Sequence, residues 1–581
     1  MTKSTVILGI SSHYHDSAAA LLVDGQLVAA AQEERFTRRK HDPEFPKHAA
    51  AYCLQEAGLT GSDVTHVGFY DKPFQKFERL LSSYLNHFPW GFRSFYEAMP
   101  LWLRNKLWIR RQIRSALDFN GPVFFNEHHM SHAASAFFPS PFDEAAILTL
   151  DGVGEWATTT TGVGRANEIT LQREIRFPHS LGLLYSAMTH YVGFKVNSGE
   201  YKLMGLAPNG EPRFVDQLRE VIDIRDDGSF SLDMRYFDYD WAMRMTNRRW
   251  NALFGGPRRP PETALDQRHS DLARSMQVIT EEVMLKTAVH LRETTQMRNL
   301  CLAGGVALNC VANGRVLREA GFDDIWIQPA AGDAGGALGV AFSVWHQLLG
   351  NPRAFQMKHA YWGPEFDDDI VAACIATRGV PAEKLDDAQL FDETAVLIDR
   401  GQCIGWYQGR MEMGPRALGS RSILADARDP EMKDRLNEKI KLREGFRPFA
   451  PAVLEEDAPE WFEIDRPSPF MLLTAQVRQE KRTIPSVTHV DGSARLQTVS
   501  RDTNPRFHAL LSAFKRRTGC PVVINTSFNI RGEPIVCTPD EAYLCFMRTG
   551  MDALVMGNHL LRKEAQPPLS DEEAAINFEA D

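Results

Sequence analysis

The chain has 581 residues and a formal net charge of -10, with 44% hydrophobic and 24% charged residues. This length exceeds the roughly 250 to 300 residues at which one hydrophobic core stops growing, so two or three domains are expected. The composition is typical of a globular protein and excludes a disordered or fibrous one. Because the chain is acidic, it has no overall attraction to DNA or to an anionic membrane, and any anion site must be local.

The cysteines and the N-terminal residues indicate the cellular compartment. The eight cysteines are scattered without a C-x-x-C pair, which predicts reduced thiols rather than a disulfide framework. The first residues lead directly into a strand and lack the charged and apolar regions of a signal peptide. No stretch approaches the roughly 18 apolar residues of a membrane span. We therefore expect a cytoplasmic protein without a membrane partner.

The first predicted elements are three strands at residues 6–10, 18–23 and 26–32, with a hairpin turn at Asp24-Gly25. The same pattern recurs at residues 145–150, 158–162 and 169–175, which we interpret as an internal duplication. The first strand of each copy ends in a loop of small and polar residues. Because ligands of α/β proteins bind beyond the carboxyl ends of strands, the two copies are expected to form a cleft.

The remaining elements predict an insertion and a second domain. Residues 212–267 are rich in aromatic residues and proline, which is typical of an inserted cap, and Ser270 is predicted to cap the next helix. A helix at residues 335–349 ends at Gly350. We place the domains at 1–355 and 389–581, joined by a linker at 356–388. The second domain begins with a helix at 391–400 and a strand at 403–407.

His128 and His132 are four residues apart, so on a helix both imidazoles lie on one face and can share a metal, whereas His129 points elsewhere. Such a pair is also typical of hydrogen-bonded core histidines. Asp151 and Asp333 add two carboxylates in glycine-flanked loops, although each is also a suitable turn former or helix cap. The four together predict a metal site, and this ligand set suits Fe, Mn or Zn better than Mg.

Glycine-rich turns cluster in the same half of the chain. Glycine lets a phosphate approach the backbone, and helix N-termini attract phosphate, so these turns predict a nucleotide site. Singly, such glycines are more often packing or turn residues, and none matches the Rossmann or P-loop pattern. The candidate nucleotide-binding residues are Gly152, Gly199, Lys202, Gly205, Gly304, Gly305, Asn309 and Gly332.

His15 lies at the tip of the first hairpin, where the duplication directs it toward the cleft. A neutral imidazole with a pKa of about 6.5 is suited to accept a hydroxyl proton, which makes His15 a candidate base. A hydrogen-bonded loop histidine is the alternative, and His13 is a competing base. Lys40 closes an Arg38-Arg39-Lys40 run that is otherwise typical of a solvated surface.

The second half contains a concentrated set of cations. Guanidinium groups bind phosphate oxygens bidentately, so the set predicts a site for a small phosphorylated ligand. An RNA surface would also use arginine, but it requires an aromatic stacking platform that is absent from these segments. The candidates are Arg416, Lys441, Arg447, Arg495, Asn525 and Arg531, with Arg421 and Lys439 as alternatives to Arg416 and Lys441.

The motifs in these stretches resemble those of the NodU/CmcH O-carbamoyltransferases, in the same order and over nearly the whole chain. They are His15-Asp-Ser-Ala-Ala, Glu33-Glu-Arg-Phe, Lys40-His-Asp, Glu127-His-His-x-Ser-His, Leu150-Asp-Gly, Gly305-Val-Ala-Leu-Asn, Gly332-Asp, Gly414-Pro-Arg-Ala-Leu-Gly, Phe446-Arg-Pro-Phe-Ala-Pro and Asn525-Thr-Ser-Phe-Asn. The resemblance implies an α/β fold, with a duplicated actin-like ATPase (ASKHA) domain similar to the threonylcarbamoyl transferase and a C-terminal YrdC-like domain.

The resemblance also implies a two-step reaction of the kind used in antibiotic and other natural-product biosynthesis. The C-terminal site would convert carbamoyl phosphate and ATP into carbamoyl adenylate, and the N-terminal metal site would transfer the carbamoyl group to a hydroxyl of a small, natural-product or sugar-like acceptor. The expected metal is Fe²⁺, with Mn, Zn or Mg as alternatives. The implied roles are metal ligation for His128, His132, Asp151 and Asp333, base for His15, nucleotide or acyl contact for Lys40, and the carbamoyl phosphate cradle for the C-terminal set.

Two other functions stay open from the sequence. A tRNA threonylcarbamoylation enzyme shares the fold and metal motif, but it requires a tRNA surface that an acidic chain does not indicate. An actin-like ATP switch without group transfer would not need the arginine-rich second half. No nucleic-acid partner is expected, a homodimer stays open, and we expect aromatic residues within 214–250 to line the acceptor site.

Overall fold

The computed structural model describes residues 4–104, 106–575 and 578. These residues form two compact units. The first unit takes in the described residues of 1–33 and 41–357, and the second takes in 34–40 and the described residues of 358–581. The domain limits drawn from the sequence stay a prediction.

The first unit begins with a five-stranded sheet. Its strands are β1 (Val6–Ser11), β2 (Ala18–Val23), β3 (Gln26–Gln32), β4 (His66–Phe69) and β5 (Val123–Phe125). The order is β3-β2-β1-β4-β5, with the β1–β2–β3 pairings antiparallel and the β1–β4–β5 pairings parallel. Asp24 and Gly25 both have positive φ, 49° and 80°, as the predicted hairpin turn requires.

A second sheet in this unit repeats the first. The next strands are β6 (Glu144–Leu150), β7 (Ala157–Arg165), β8 (Glu168–Arg176), β9 (Ile222–Ile224), β10 (Phe230–Leu232), β11 (Asn299–Ala303) and β12 (Asp324–Ile327). Apart from the small β9–β10 hairpin, they form a sheet in the order β12-β11-β6-β7-β8, in which β6 pairs antiparallel with β7 and parallel with β11. Strands β6, β7, β8, β11 and β12 thus occupy the places of β1, β2, β3, β4 and β5, and the predicted duplication is confirmed.

Helices cover these sheets. They are α1 (Glu34–Thr37), which folds with the second unit, α2 (Lys47–Glu56), α3 (Pro73–Asn86), α4 (Phe92–Arg104), α5 (Ile109–Leu117), α6 (His128–Phe137), α7 (Leu181–Tyr191), α8 (Glu200–Leu206), α9 (Val215–Arg219), α10 (Arg248–Leu253), α11 (Gln267–Thr295), α12 (Cys310–Glu319) and α13 (Asp333–Ser343). The helix cap predicted at Ser270 is wrong: α11 begins at Gln267, and the Asp266 side chain accepts from the His269 N–H. The acid four residues before Ser270 accepts from a free N–H group of the first turn, so Ser270 lies inside the helix.

Helix α13 lies against both α6 and β1 with its backbone in close contact. A Cβ atom added at Gly339 would lie 1.8 Å from the Ser131 carbonyl oxygen of α6. One added at Gly9 of β1 would lie 1.9 Å from the Ala337 carbonyl oxygen of α13. Glycine is therefore needed at both contacts, which fix the start of α13 relative to α6.

The second unit is built on an eight-stranded sheet. Its strands are β13 (Glu383–Lys384), β14 (Ile404–Tyr407), β15 (Arg421–Asp426), β16 (Ala450–Leu454), β17 (Thr474–Gln476), β18 (Ser493–Arg495), β19 (Gln497–Val499), β20 (Val522–Ser527), β21 (Ala553–Met556) and β22 (His559–Arg562). The order of the sheet is β13-β22-β21-β14-β15-β20-β16-β19, and β17 pairs separately with β18. Strand β20 thus lies in its interior, between β15 and β16.

The helices of this unit are α14 (Asp368–Arg378), α15 (Asp387–Asp399), α16 (Met432–Leu436), α17 (Ala458–Trp461), α18 (Pro505–Thr518), α19 (Pro539–Arg548) and α20 (Asp571–Ala574). The stretch 356–388, assigned to a linker from its sequence, contains α14 and β13. Across the described ranges, no helix combines the length and apolar character needed to cross a membrane.

Gly339→Ala is expected to lower the free energy of unfolding by about 2 to 3 kcal/mol, because the added methyl group overpacks the α13–α6 contact. Alanine would otherwise favour a helix by up to about 1 kcal/mol, so the sign of the change separates the two effects. Denaturant unfolding measures it. The control is Gly445→Ala, where no atom lies within 4 Å of the added Cβ; equal effects of the two substitutions would contradict the close contact.

Candidate functional site

The four predicted metal ligands come together in the first unit. His128 and His132 lie one turn apart on α6, both buried, with their Nε2 atoms 3.1 Å apart. The Nε2 atom of His128 is 3.1 Å from Oδ2 of Asp151 and 3.6 Å from Oδ1 of Asp333. One ligand atom from each of the four residues lies within 4.8 Å of the others. The two imidazoles and two carboxylates therefore face a common point.

Three of the four candidate ligands lie at the end of an element, and His132 lies one turn along α6 from His128. Asp151 follows β6 directly, and Asp333 is the first residue of α13. Glu155 holds the first turn of α6, because its carboxylate accepts from the His128 N–H at 3.1 Å and from the Lys72 N–H at 2.8 Å. The sequence analysis missed Glu155, although an acid that closes the glycine-rich loop after Asp151 was a usable signal. His129 points away, with Nδ1 2.6 Å from Thr149 Oγ1.

The electrostatics of the cluster fit a divalent cation. Burial lowers the pKa of His128 and His132, so both imidazoles are neutral and able to ligate. Burial opposes ionisation of Asp151, but its hydrogen bond with His128 holds the pKa of that carboxyl well below its ordinary range. Burial raises the pKa of Asp333 to about 7, and the charge of Asp151 adds to the rise. Oδ1 of Asp333 is buried without a hydrogen-bond partner, and this donor set suits Fe, Mn or Zn.

His15 lies in the β1–β2 loop within an acid–base chain. Its Nδ1 atom is 2.9 Å from Oδ2 of Asp16, whose Oδ1 is 2.7 Å from Nδ1 of His41. Burial lowers the pKa of His15, but the charge of Asp333 and the bond to Asp16 outweigh it and raise the pKa to about 10. The expectation of an ordinary imidazole pKa is therefore wrong for these surroundings. The competing His13 is bonded to Gln112 Oε1 at 2.8 Å.

Half of the predicted nucleotide residues gather beside Asp151 and Asp333. The Gly305 N–H donates to Asp151 Oδ1 at 2.9 Å. Gly304 has a φ of 91°, and a Cβ atom there would lie 2.2 Å from the Leu150 carbonyl oxygen, so only glycine fits. Gly152 and Gly332 adjoin the two carboxylates in sequence, and no atom lies within 4 Å of a Cβ atom added at either.

The other predicted nucleotide residues belong to α8 and α12. Gly199 precedes α8 and packs against the Lys195 carbonyl oxygen, while Lys202 and Gly205 lie within that helix. Asn309 caps α12. Its amide also exchanges hydrogen bonds of 3.0 and 3.1 Å with Gln277. Capping thus gives Asn309 a structural role at the start of α12.

In the second unit, Asn525 is the candidate residue of the basic site that carries no charge. It is on β20, and its Nδ2 atom donates to the Ala417 carbonyl oxygen at 3.2 Å and to Gln497 Oε1 at 2.7 Å. These two bonds fix the amide, so that Oδ1 is the free end. Oδ1 is buried and accepts no hydrogen bond from the described residues. The site therefore presents a buried acceptor as well as cations.

Lys441 is buried beside the same motif. Its Nζ atom donates to Asn529 Oδ1 at 2.9 Å, to the Asn529 carbonyl oxygen at 3.0 Å and to Ser527. Burial lowers the pKa of Lys441 well below its ordinary value, and the nearby charges of Arg443 and Arg447 act in the same direction. The alternative, Lys439, is exposed. The structure therefore favours Lys441 of this pair.

Arg421 is bound by backbone carbonyl groups of the fold. Its guanidinium donates to the carbonyl oxygens of Gln408, Gly409 and Pro364 at 2.9 to 3.1 Å and lies 3.8 Å from the Tyr407 ring centroid. Arg416 is therefore the better candidate ligand contact. The four remaining arginines are all half-buried. Arg416 precedes Ala417, Arg447 precedes β16, Arg495 ends β18 and Arg531 follows β20.

The short segment 34–40 supports the loops of this second site. Arg35 donates to the Gly414 carbonyl oxygen at 2.9 Å, just before Arg416. Arg38 donates to the Pro534 carbonyl oxygen at 2.8 Å and to Glu533 at 3.1 Å, just after Arg531. These contacts were missed because a run of cations, here ending at Lys40, is also typical of a solvated surface.

Removal of one metal ligand is expected to weaken metal binding by at least about 100-fold, since changes in surrounding residues alone cost 10-fold to 100-fold. The variants are His132→Ala and Asp333→Ala, and the measurement is elemental analysis of each protein after dialysis against a weak chelator. His129→Asn is the matched control on the same helix. Equal metal content in all four proteins, including the parent, would exclude this site.

Comparisons with known proteins show the family of the chain. The family model described as Carbamoyltransferase N-terminus matches residues 6–342, and that described as Carbamoyltransferase C-terminus matches residues 395–563. An uncharacterized protein of Synechocystis sp. is 53% identical, with 99% of this chain and all of the relative covered. Nodulation protein NolNO of Sinorhizobium fredii is 40% identical over 95% of this chain and 80% of the relative. Among solved structures, HypF of T. kodakarensis is similar at 13% identity and a TM-score of 0.32, over 60% of this chain and 49% of that one. The chain therefore belongs to the carbamoyltransferase family and is a carbamoyltransferase enzyme.

Proposed function

We propose that this enzyme makes carbamoyl adenylate from carbamoyl phosphate and ATP in the second unit and transfers the carbamoyl group to a hydroxyl of a small molecule in the first. The observation that carries the proposal is the buried, unpartnered Oδ1 atom of Asn525 within the basic site. Inorganic phosphate needs donors alone. Carbamoyl phosphate also has an amide NH₂ group that must donate, and Asn525 Oδ1 is a suitable acceptor.

The cations of the second unit suit the phosphate end of that ligand. Arginine guanidinium groups bind phosphate oxygens in pairs of parallel hydrogen bonds. Arg416 is half-buried and adjoins Ala417, whose carbonyl oxygen bonds Asn525, and three other candidate arginines of this unit are also half-buried. In the proposed step, carbamoyl phosphate loses inorganic phosphate to water and leaves carbamate. A carbamate oxygen then attacks the α-phosphorus of ATP and expels pyrophosphate. Both products are measurable. A YrdC-like fold for this unit is part of the proposal.

The first unit is proposed to carry out transfer. His15 would take the proton of the acceptor hydroxyl, whose oxygen attacks the carbamoyl carbon as AMP leaves with the bonding electrons. His128, His132, Asp151 and Asp333 would hold a divalent cation, with Fe²⁺ preferred; when bound, it supplies positive charge to the phosphate oxygens and offsets the carboxylate charge that raises the pKa of His15. Gly152 and Gly332 leave the backbone open to a phosphate.

The duplicated strand order supports the actin-like ATPase fold proposed for this unit, and with it a nucleotide between the two copies. The acceptor site needs a revision. Phe237 and Trp250, expected among its walls, are 2% and 0% exposed and pack on one another. They form the core of the insertion, so only its half-buried aromatic residues, such as Tyr239, can face an acceptor.

Arg447→Met is expected to raise the carbamoyl phosphate concentration that gives half-maximal pyrophosphate release by at least about 10-fold, because a charged hydrogen bond contributes about 1.5 to 3 kcal/mol. Pyrophosphate release is followed with a coupled assay at saturating ATP. Arg501→Met, at an exposed arginine of the same unit, is the control. Pyrophosphate release from the parent enzyme that is independent of carbamoyl phosphate would overturn the proposed function.

His15→Ala is expected to retain carbamoyl-phosphate-dependent pyrophosphate release while carbamoyl transfer falls by about 100-fold to 10,000-fold, the usual contribution of a general base. Transfer is measured with isotopically labelled carbamoyl phosphate and a small-molecule extract as the source of acceptor. His13→Ala is the matched comparison for the competing base. If His13→Ala rather than His15→Ala abolishes transfer, the assignment of the base is wrong.

A further inference from the structure

Helix α3 turns its cations inward and its apolar residues outward. Of its 14 residues, those buried are Pro73, Lys76 and Arg79, which are three apart and share one face. Phe74 and Leu85 are 69% and 74% exposed. This reverses the usual pattern of a helix that covers a core. The two buried cations therefore need partners inside the unit.

Lys76 has such a partner. Its Nζ atom donates to Asp71 Oδ2 at 2.6 Å, and both side chains are buried. The same ammonium group lies 5.2 Å from the Tyr70 ring centroid. The Tyr70 hydroxyl in turn donates to Oδ2 of Asp333 at 3.4 Å. Lys76 is thus one aromatic ring away from the candidate metal ligands.

Arg79 has no such partner. The residue is 9% exposed, and its Nη1 atom is buried without a hydrogen bond from or to the described residues. Its guanidinium lies 5.0 Å above the Phe177 ring. The two acids whose charges act on it, Asp71 and Glu155, are engaged elsewhere, Asp71 by Lys76 and Glu155 by backbone N–H groups. No carboxylate forms an ion pair with Arg79 within the described ranges.

A buried guanidinium without a counter-ion is unfavourable, because it loses the solvation of its charge. Burial lowers the pKa of Arg79 to about 10, so the group still carries its charge at neutral pH. A planar guanidinium that rests on an aromatic face presents its N–H groups in the geometry that binds a carboxylate, sulfate or phosphate bidentately.

The surroundings of Arg79 connect it to the reacting groups. Tyr14, whose phenol acts electrostatically on Arg79, immediately precedes His15. On the other side, the Phe177 ring contacts the ring of Tyr239, with centroids 6.1 Å apart. Arg79 therefore lies between the loop of the proposed base and the aromatic insertion proposed to face the acceptor.

We propose that Arg79, with the Phe177 ring beneath it and Lys76 one turn away, binds an oxyanion of a reactant in the transfer site. The oxyanion belongs either to an acidic group of the acceptor or to the phosphate of the bound nucleotide. The inference rests on the proposed function, in which this unit performs transfer. It adds a recognition element that selects for negative charge beside the metal site.

The test uses the full-length chain with saturating carbamoyl phosphate, which occupies the basic site of the second unit. Sodium sulfate is the first probe and is compared with sodium chloride at equal ionic strength, by isothermal titration calorimetry. We expect Arg79→Met to weaken sulfate binding at least 10-fold and Arg79→Lys to weaken it about 3-fold, because lysine keeps the charge but not the fork. The matched control is Arg93→Met on α4, where the side chain is 89% exposed, and its sulfate binding should equal that of the parent.

AMP is the second probe, and it separates the two sources. If Arg79→Met weakens AMP binding at least 10-fold, the nucleotide phosphate is the partner; if AMP binding is unchanged while sulfate binding is lost, the partner is an acidic group of the acceptor. Equal sulfate and AMP affinities in the parent and the Arg79 variants overturn the inference.

If Arg79→Met does not fold, the comparison of Arg79→Lys with the parent decides. The inference is overturned in that case too if the parent does not bind sulfate and Arg79→Lys does not change AMP binding. The proposed function is judged separately, by carbamoyl-phosphate-dependent pyrophosphate release in the parent enzyme.

Discussion

The close backbone contact of α13 with α6 and β1 is the constraint on which the first site depends. Two candidate ligands lie on α6 and a third begins α13, so the candidate metal site requires that these helices are held at a fixed separation. Gly339 and Gly9 permit this separation because a Cβ atom at either would lie within 2 Å of a carbonyl oxygen, at 1.8 and 1.9 Å. The fourth candidate ligand, Asp151, directly follows β6, which is the second copy of β1.

The same packing sets the charge balance around the ligands. Four buried carboxylates, those of Asp71, Asp151, Glu155 and Asp333, all act electrostatically on Tyr70. Lys76 and the first N–H groups of α6 compensate two of them. The remaining pair, Asp151 and Asp333, lies beside two neutral imidazoles, which do not offset its negative charge. A bound cation would balance that charge. The same excess of negative charge raises the pKa of His15.

Patterns of short range were predictable from the sequence, whereas long-range contacts were not. The turn at Asp24-Gly25 and the position of His128 and His132 on one helix face depend on neighbouring residues, and both were predicted correctly. Arg38 and Arg421 were not distinguishable from surface or ligand-binding cations, because their partners are backbone carbonyl groups tens to hundreds of residues away. The pKa of His15 was missed for a similar reason, since it depends on Asp333 at the far end of the unit's sequence. Arg79 gave no sequence signal, because a cation at helical spacing is ordinarily exposed.

The contacts of Lys441 indicate that some residues of the second site hold its loops while others are available to bind the ligand. An ammonium group has three protons, and Nζ of Lys441 already faces four oxygen acceptors, all from Ser527 and Asn529. A direct bond to a ligand would displace one of these acceptors inside a buried environment, which is unfavourable. Lys441 therefore acts on the loop after β20, which it holds next to Asn525. Under the proposed function, the half-buried arginines would make the phosphate contacts, and the carbonyl group of Asn525 would distinguish a carbamoyl group from a bare phosphate.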